Sequence, residues 1–173
     1  VAGTAGGGAA SVGLDEAPDL SVLSWCADEI GRSLRVASDA LHRQLRAGPE
    51  DASALRAARV AVHQAHGALA IVGLSGVPML TTAAEQLLDA IERETLPLDE
   101  ARAAAFSRAC GAIGEYLEEL LAGAAHQPLY LFPYYRDLML ARGAFERGLL
   151  KLLRDPADRE ALQTLRESVD TVL

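Results

Sequence analysis

The stretch that decides the fold is residues 55–73, LRAARVAVHQAHGALAIVG. Leu55, Ala58, Val62, Ala65, Leu69 and Val72 recur at steps of three and four. That spacing lays one apolar stripe along a helix. It predicts a helix from about Asp51, which can cap it, to Gly73, which stops it. The same stretch carries His63 and His66. With Val62 at the centre of the stripe, His63 lies about 100° round the helix. Arg59, His63, His66 and Ala70 then share a face that borders the core and looks toward solvent. Gly67 stands among them, although glycine in a helix interior costs about 1 kcal/mol relative to alanine. A residue without a side chain leaves the neighbouring imidazoles unshielded.

The same period extends in both directions. Leu20, Leu23, Ala27, Ile30, Leu34, Ala37, Leu41 and Leu45 predict a first helix over 20–46, with Asp19 as N-cap and Ala47-Gly48-Pro49 as its stop. Leu80, Ala84, Leu87 and Ile91, with Ala83 and Leu88 beside them, predict a third helix over 77–93, and Pro78 suits its first turn. The connection Leu74-Ser75-Gly76 is short, so the second and third helices are expected to be antiparallel neighbours. A fourth helix is expected over 99–121, with Arg102, Phe106, Ala109, Ile113, Leu117 and Leu120 on one side and Gly123 ending it. In the stretch 127–143, QPLYLFPYYRDLMLARG, Tyr130, Phe132, Tyr134 and Tyr135 predict a hydrophobic lid. The lid would clip a short fifth helix, 133–142, onto the others. The fold class is therefore all-α, an antiparallel up-down bundle of four helices plus an extra one, occupying residues 19–142.

Composition agrees with that class. Half of the 173 residues are hydrophobic but only 5% are aromatic, so the core must be built from Ala, Leu and Val. A net charge of -8 argues against nucleic-acid binding and against attraction to anionic membranes. No apolar run approaches the roughly 20 residues of a membrane span, and no signal peptide is apparent. Cys26 and Cys110 form no C-x-x-C pattern and read as core thiols of a reduced, cytoplasmic compartment. Residues 1–18 are rich in Gly and Ala without an apolar period and read as a disordered linker or a cloning remnant.

The tail contains a weak repeat. Aligning 41–64 with 149–171 sets Arg46 against Arg154, Pro49 against Pro156, Leu55 against Leu162, Arg59 against Arg166, Val62 against Val169 and His63 against Asp170. Residues 143–173 thus read as the opening hairpin of a second, truncated module of the same kind.

Three roles compete for His63. It can be a half-buried structural histidine. It can share a metal with His66, but a metal site needs three or four ligands and no cysteine is near. Or its imidazole can accept a phosphoryl group, since an unprotonated ring nitrogen is a competent nucleophile. The last role needs an exposed ring, a carboxylate to orient it, small neighbours and positive charge for the phosphoryl oxygens. Gly67 and Ala70 offer clearance, Arg59 and His66 offer donors, and Glu85 on the third helix is the candidate carboxylate. No Gly-rich phosphate loop or kinase motif occurs, so the chain is not itself a kinase.

HQAHGALAIVGL followed by AEQLLDAI resembles the histidine phosphotransfer (HPt) domain, in particular the N-terminal phosphotransfer domain of CheA-type chemotaxis kinases. That family's pattern is H-x-x-K-G, an apolar-Gly-apolar element, and a Glu before paired leucines. On this resemblance His63 matches the phospho-acceptor, Gly67 the clearing residue, Gly73 the interhelical turn and Glu85 the carboxylate that hydrogen-bonds the imidazole. The family lysine is replaced by His66. LSVLSWCADEIGRSL and LYLFPYYRDLMLARGA add a likeness to the N-terminal module of multi-HPt CheA-like kinases of type IV pilus systems (the PilL/ChpA type) and to FimL-type scaffolds. The resemblance implies an HPt-like module that serves twitching motility. It implies a response-regulator receiver domain, the parent chain's kinase core and a polar scaffold protein as partners. ATP would be used by the kinase domain and not bound here. The alternatives are a docking module without phosphorylation and, more remotely, a metal-binding bundle.

Overall fold

The structure, a computed structural model, describes residues 20–48, 52–143, 152–155, 159, 162, 163 and 166. Among the described residues up to 143, five α-helices and one 3-10 turn follow one another: α1 (Leu20–Ala47), α2 (Ser53–Val72), α3 (Val77–Glu92), α4 (Glu100–Leu121), the turn Pro128–Leu131, and α5 (Phe132–Ala141). Among the described residues there is no strand, and the chain is all-α. The expected caps Asp19 and Asp51, the N-terminal segment, and most of the repeat in the tail lie outside the described residues.

α1 packs on α2 and α4, and α2 packs on α3. The direct α3–α4 contact is thin, and α5 lies against both of them across that seam. The core is what the apolar stripes predicted. Every stripe residue of α2 is buried, as are Leu80, Ala84, Leu87 and Ile91 of α3 and Phe106, Ala109, Ile113, Leu117 and Leu120 of α4. Phe106 is the largest fully buried side chain; the rest of that set is Leu and Ile. The α1 stripe holds over its central turns, but Leu20 at the helix start is exposed.

Two helix ends are closed in ways the periodicity did not indicate. The N-cap of α2 is Ala52, which makes no side-chain hydrogen bond. Gln44, buried on α1, supplies the missing acceptor: its Oε1 takes the Leu55 N–H at 2.9 Å while its Nε2 donates to the Gly48 carbonyl at 2.7 Å. The first orphan donors of a helix need such a partner when they are buried. At the start of α4 the Asp99 side chain is the cap, accepting from the Arg102 N–H at 2.8 Å. Arg102, expected on the apolar side of α4, also donates through Nε to the Ala141 carbonyl at 2.9 Å, and so ties the end of α5 to α4.

The aromatic lid is only partly as expected. Tyr134 and Tyr135 pack against the core, but Tyr130 is exposed. The buried anchors of this segment are Leu131 and Leu138. A buried phenol needs a hydrogen-bond partner for its hydroxyl, whereas a leucine can be buried whole.

The α2–α3 turn fixes the register on which the site depends. Gly73 and Gly76 both adopt left-handed backbone conformations, with φ of 74° and 78°. Gly76 also has no room for a side chain, since a Cβ there would come 2.7 Å from the Pro128 Cβ. The 3-10 turn thus sits on the bare backbone of the interhelical turn.

Candidate functional site

Three pairs cross between α2 and α3: Arg59 with Glu92, His63 with Glu85, and His66 with Thr81. As the position on α2 rises, its partner on α3 falls, which is the signature of antiparallel neighbours. His63 Nδ1 lies 3.0 Å from Glu85 Oε1. A carboxylate only accepts, so Nδ1 carries the hydrogen, and in the neutral ring Nε2 is left with its lone pair. The His63 side chain is 81% exposed. Glu85 therefore orients the ring without covering it.

His66 is arranged differently. The Thr81 hydroxyl donates to the Pro78 carbonyl at 2.9 Å. Its oxygen is then the acceptor for His66 Nδ1 at 2.8 Å. Thr81 is fully buried and His66 half-buried, so this imidazole is turned toward α3. The shared exposed face expected for Arg59, His63 and His66 holds for the first two and fails for the third. Period alone places His66 on the boundary, and the buried hydroxyl opposite draws it inward.

Gly67 is exposed, and a Cβ built on it would meet nothing within 4 Å. Close packing does not require a glycine there, since a side chain at this position starts in open space. Ala70 is also exposed. On the side of His63 toward the start of α2, an open groove of about 870 Å³ is lined by Arg56, Arg59, His63, Glu85, Asp89 and Glu92 among others. The acidic side chains in it are paired: Glu85 with the His63 ring, Asp89 with Arg93 at 3.0 Å, and Glu92 with Arg59.

The other two histidines hold helices together. His42 Nε2 lies 2.9 Å from Ser107 Oγ, which lies 2.6 Å from Ser38 Oγ, so this network joins α1 to α4. The Gln127 N–H donates to the Tyr116 hydroxyl at 2.8 Å. Tyr116 in turn faces His126 Nδ1 at 2.7 Å, and His126 Nε2 reaches Ser75 in the α2–α3 turn at 3.3 Å. Burial pushes the Tyr116 hydroxyl above its ordinary pKa, and the hydrogen bond from the Gln127 N–H opposes that shift. Of the four histidines, His63 alone combines an oriented ring with high exposure.

Cys110 is buried, as expected, and burial pushes its thiol up to about 12. Cys26 is only half-buried. Among the described residues no group of three or more His, Cys, Asp or Glu side chains is placed to hold a metal ion, and no helix is long and apolar enough to cross a membrane.

Sequence reasoning identified His63, Glu85, Gly67 and Arg59, and the structure brings them to one surface. It missed Thr81 and Glu92. Both were available from the antiparallel register: Thr81 lies one turn before Glu85, opposite His66, and Glu92 lies two turns after it, opposite Arg59.

Comparison of the chain with protein-family models, with curated proteins and with solved structures finds no match.

Proposed function

We propose that this chain is an HPt-like signalling module in which His63 accepts a phosphoryl group from a kinase and passes it to a receiver aspartate. The observation that carries this reading is the His63–Glu85 pair: Nδ1 is held 3.0 Å from a carboxylate and the ring is otherwise exposed. The Nε2 lone pair attacks the γ-phosphorus of ATP bound to a separate kinase domain. The N–P bond forms, the bond to the β-phosphate oxygen breaks, and ADP leaves. The ring gains positive charge in that step. The proton on Nδ1 stays in place, and the Glu85 carboxylate stabilises it. In the return step an aspartate oxygen of the receiver takes the phosphorus, and the Nε2 lone pair is restored.

The exposed Gly67 and Ala70 leave the approach to the ring unobstructed. The resemblance to CheA-type kinases of type IV pilus systems supplies the candidate partners: a receiver domain, the kinase core of the same parent protein, and a polar scaffold. It also supplies the setting, chemotaxis-type control of twitching motility in the cytoplasm. ATP belongs to the kinase core.

One observation favours a second reading, a docking module that carries no phosphate. His66, at the position of the family lysine, is engaged with Thr81.

A phosphotransfer assay separates the two. The chain is incubated with a CheA-type kinase core and labelled ATP, beside His63→Gln. Acid-labile label on the unaltered chain and none on the variant supports the phosphocarrier. No label, from a kinase core that labels another HPt domain in the same tube, overturns it and leaves the docking role.

A further inference from the structure

The charge that a phosphoryl group on His63 would need comes from a different side of the ring than the sequence pattern indicates. Position 66 lies on the C-terminal side of His63, and its Nδ1 is engaged with Thr81. Side chains on a helix lean toward its N-terminus. The imidazole of His63 therefore extends over the turn that begins at Arg59, and a group on Nε2 protrudes into the groove on that side. Arg59 lines this groove. It lies one helical turn from His63, where residues on one face have Cβ atoms about 5–6 Å apart. Its guanidinium is permanently charged and shaped to grip a tetrahedral oxyanion with two hydrogen bonds.

Arg59 already pairs with a carboxylate, Glu92 of α3, and both side chains remain partly exposed at 44% and 30%. Ion pairs of that exposure are weak, so a dianionic phosphoryl group one turn away competes well for the guanidinium. Resting on the phosphocarrier reading, we propose that Arg59 is the phosphoryl-binding cation of this module and that Glu92 parks it. The guanidinium moves from the Glu92 carboxylate to the phosphoryl oxygens when His63 is charged, and returns when the group leaves. No bond other than these hydrogen bonds changes. The arrangement also masks one positive charge of the groove in the unphosphorylated form, so the groove presents a different charge pattern in each state.

The test uses the full chain and potassium phosphoramidate, a small anionic phosphoryl donor that needs no kinase. Phosphorylation of His63 is followed by ³¹P NMR and intact mass, with His63→Gln to assign the signal. Arg59→Ala is expected to slow uptake on His63 at least fivefold, with Arg59→Lys recovering part of the rate. Glu92→Gln, which frees the guanidinium, is expected to raise the rate at least twofold. Arg56→Ala removes the same charge from the same groove two turns from His63 and is expected to change the rate less than twofold. Equal rates for Arg59→Ala and the unaltered chain overturn the proposal, as does an equal loss in Arg56→Ala, which would show a general field and no clamp. A Glu92→Gln rate at or below that of the unaltered chain overturns the parking role. If the unaltered chain takes no phosphoryl group on His63, the phosphocarrier reading fails and the clamp with it. If it is labelled and Arg59→Ala matches it, the clamp alone fails. Circular dichroism of each variant checks that the helices are intact.

Discussion

His63 and Glu85 face each other across the antiparallel α2–α3 pair at 3.0 Å, the imidazole 81% exposed and the carboxylate 31%. The less exposed partner is the carboxylate, and the more exposed one is the ring whose second nitrogen stands away from the contact. A salt bridge kept for stability would gain nothing from that asymmetry, because exposed pairs contribute little. The phosphocarrier reading does use it, since there the ring must be oriented and accessible at once.

Glu85→Gln keeps a hydrogen-bond acceptor for Nδ1 but removes its negative charge. A charge-assisted hydrogen bond exceeds a neutral one by about 1 kcal/mol. On the phosphocarrier reading, phosphoryl uptake on His63 is therefore expected to fall about fivefold, with thermal melting unchanged. Rates of labelling on the two proteins, measured side by side, check this.

Gly67→Ala is expected to make the protein more stable. The new methyl meets nothing within 4 Å, and alanine is better than glycine in a helix interior by about 1 kcal/mol. Urea unfolding followed at 222 nm gives the difference. Gly67→Leu starts from the same open Cβ position, but on the phosphocarrier reading it puts a bulky side chain near the ring that a partner must cover. Its phosphotransfer from a kinase core is expected to drop while its stability does not.

Gly76→Ala is expected to act in the opposite direction. The residue has φ of 78° and a Cβ would lie 2.7 Å from that of Pro128. A left-handed non-glycine residue alone costs on the order of 1 kcal/mol, and the collision adds to it. A loss of about 2 kcal/mol or more in the same urea experiment is expected. Because this turn sets the α2–α3 register, the cross-pairs at His63 and His66 should loosen together in histidine NMR spectra.

Cys110 provides the pH prediction. Burial pushes its thiol from the ordinary value of 9.0 up to about 12, so the folded state disfavours the thiolate. The contribution is fully present below about pH 9 and is lost as pH rises toward 12. Unfolding free energy is expected to decline over that window in the native sequence and to decline less in Cys110→Ala. At pH 8 a thiol reagent should modify Cys26 quickly and Cys110 only after denaturant is added.

The three- and four-residue spacing of small apolar side chains determined the helices and their inward faces, because a helix with one apolar stripe has only one side it can bury. Local chemistry fixed several ends as well: Gly73 and Gly76 at the turn, and Asp99 at the start of α4. The sequence also placed His63, Gly67 and Glu85 in a pattern whose spacing implied a shared surface. Tertiary structure alone decided which histidine would be free. His63 and His66 occupy neighbouring positions on one helix, and nothing local distinguishes their rings. Opposite His63 the third helix presents a partly exposed carboxylate, and opposite His66 a buried hydroxyl already donating to Pro78. The same register set Arg59 against Glu92, and Gln44 reached from α1 to close the start of α2. Periodicity reports which face of a helix is buried. It does not report which side chain of another helix comes to meet it, because that depends on the turn geometry and on how the helices slide against one another when they pack.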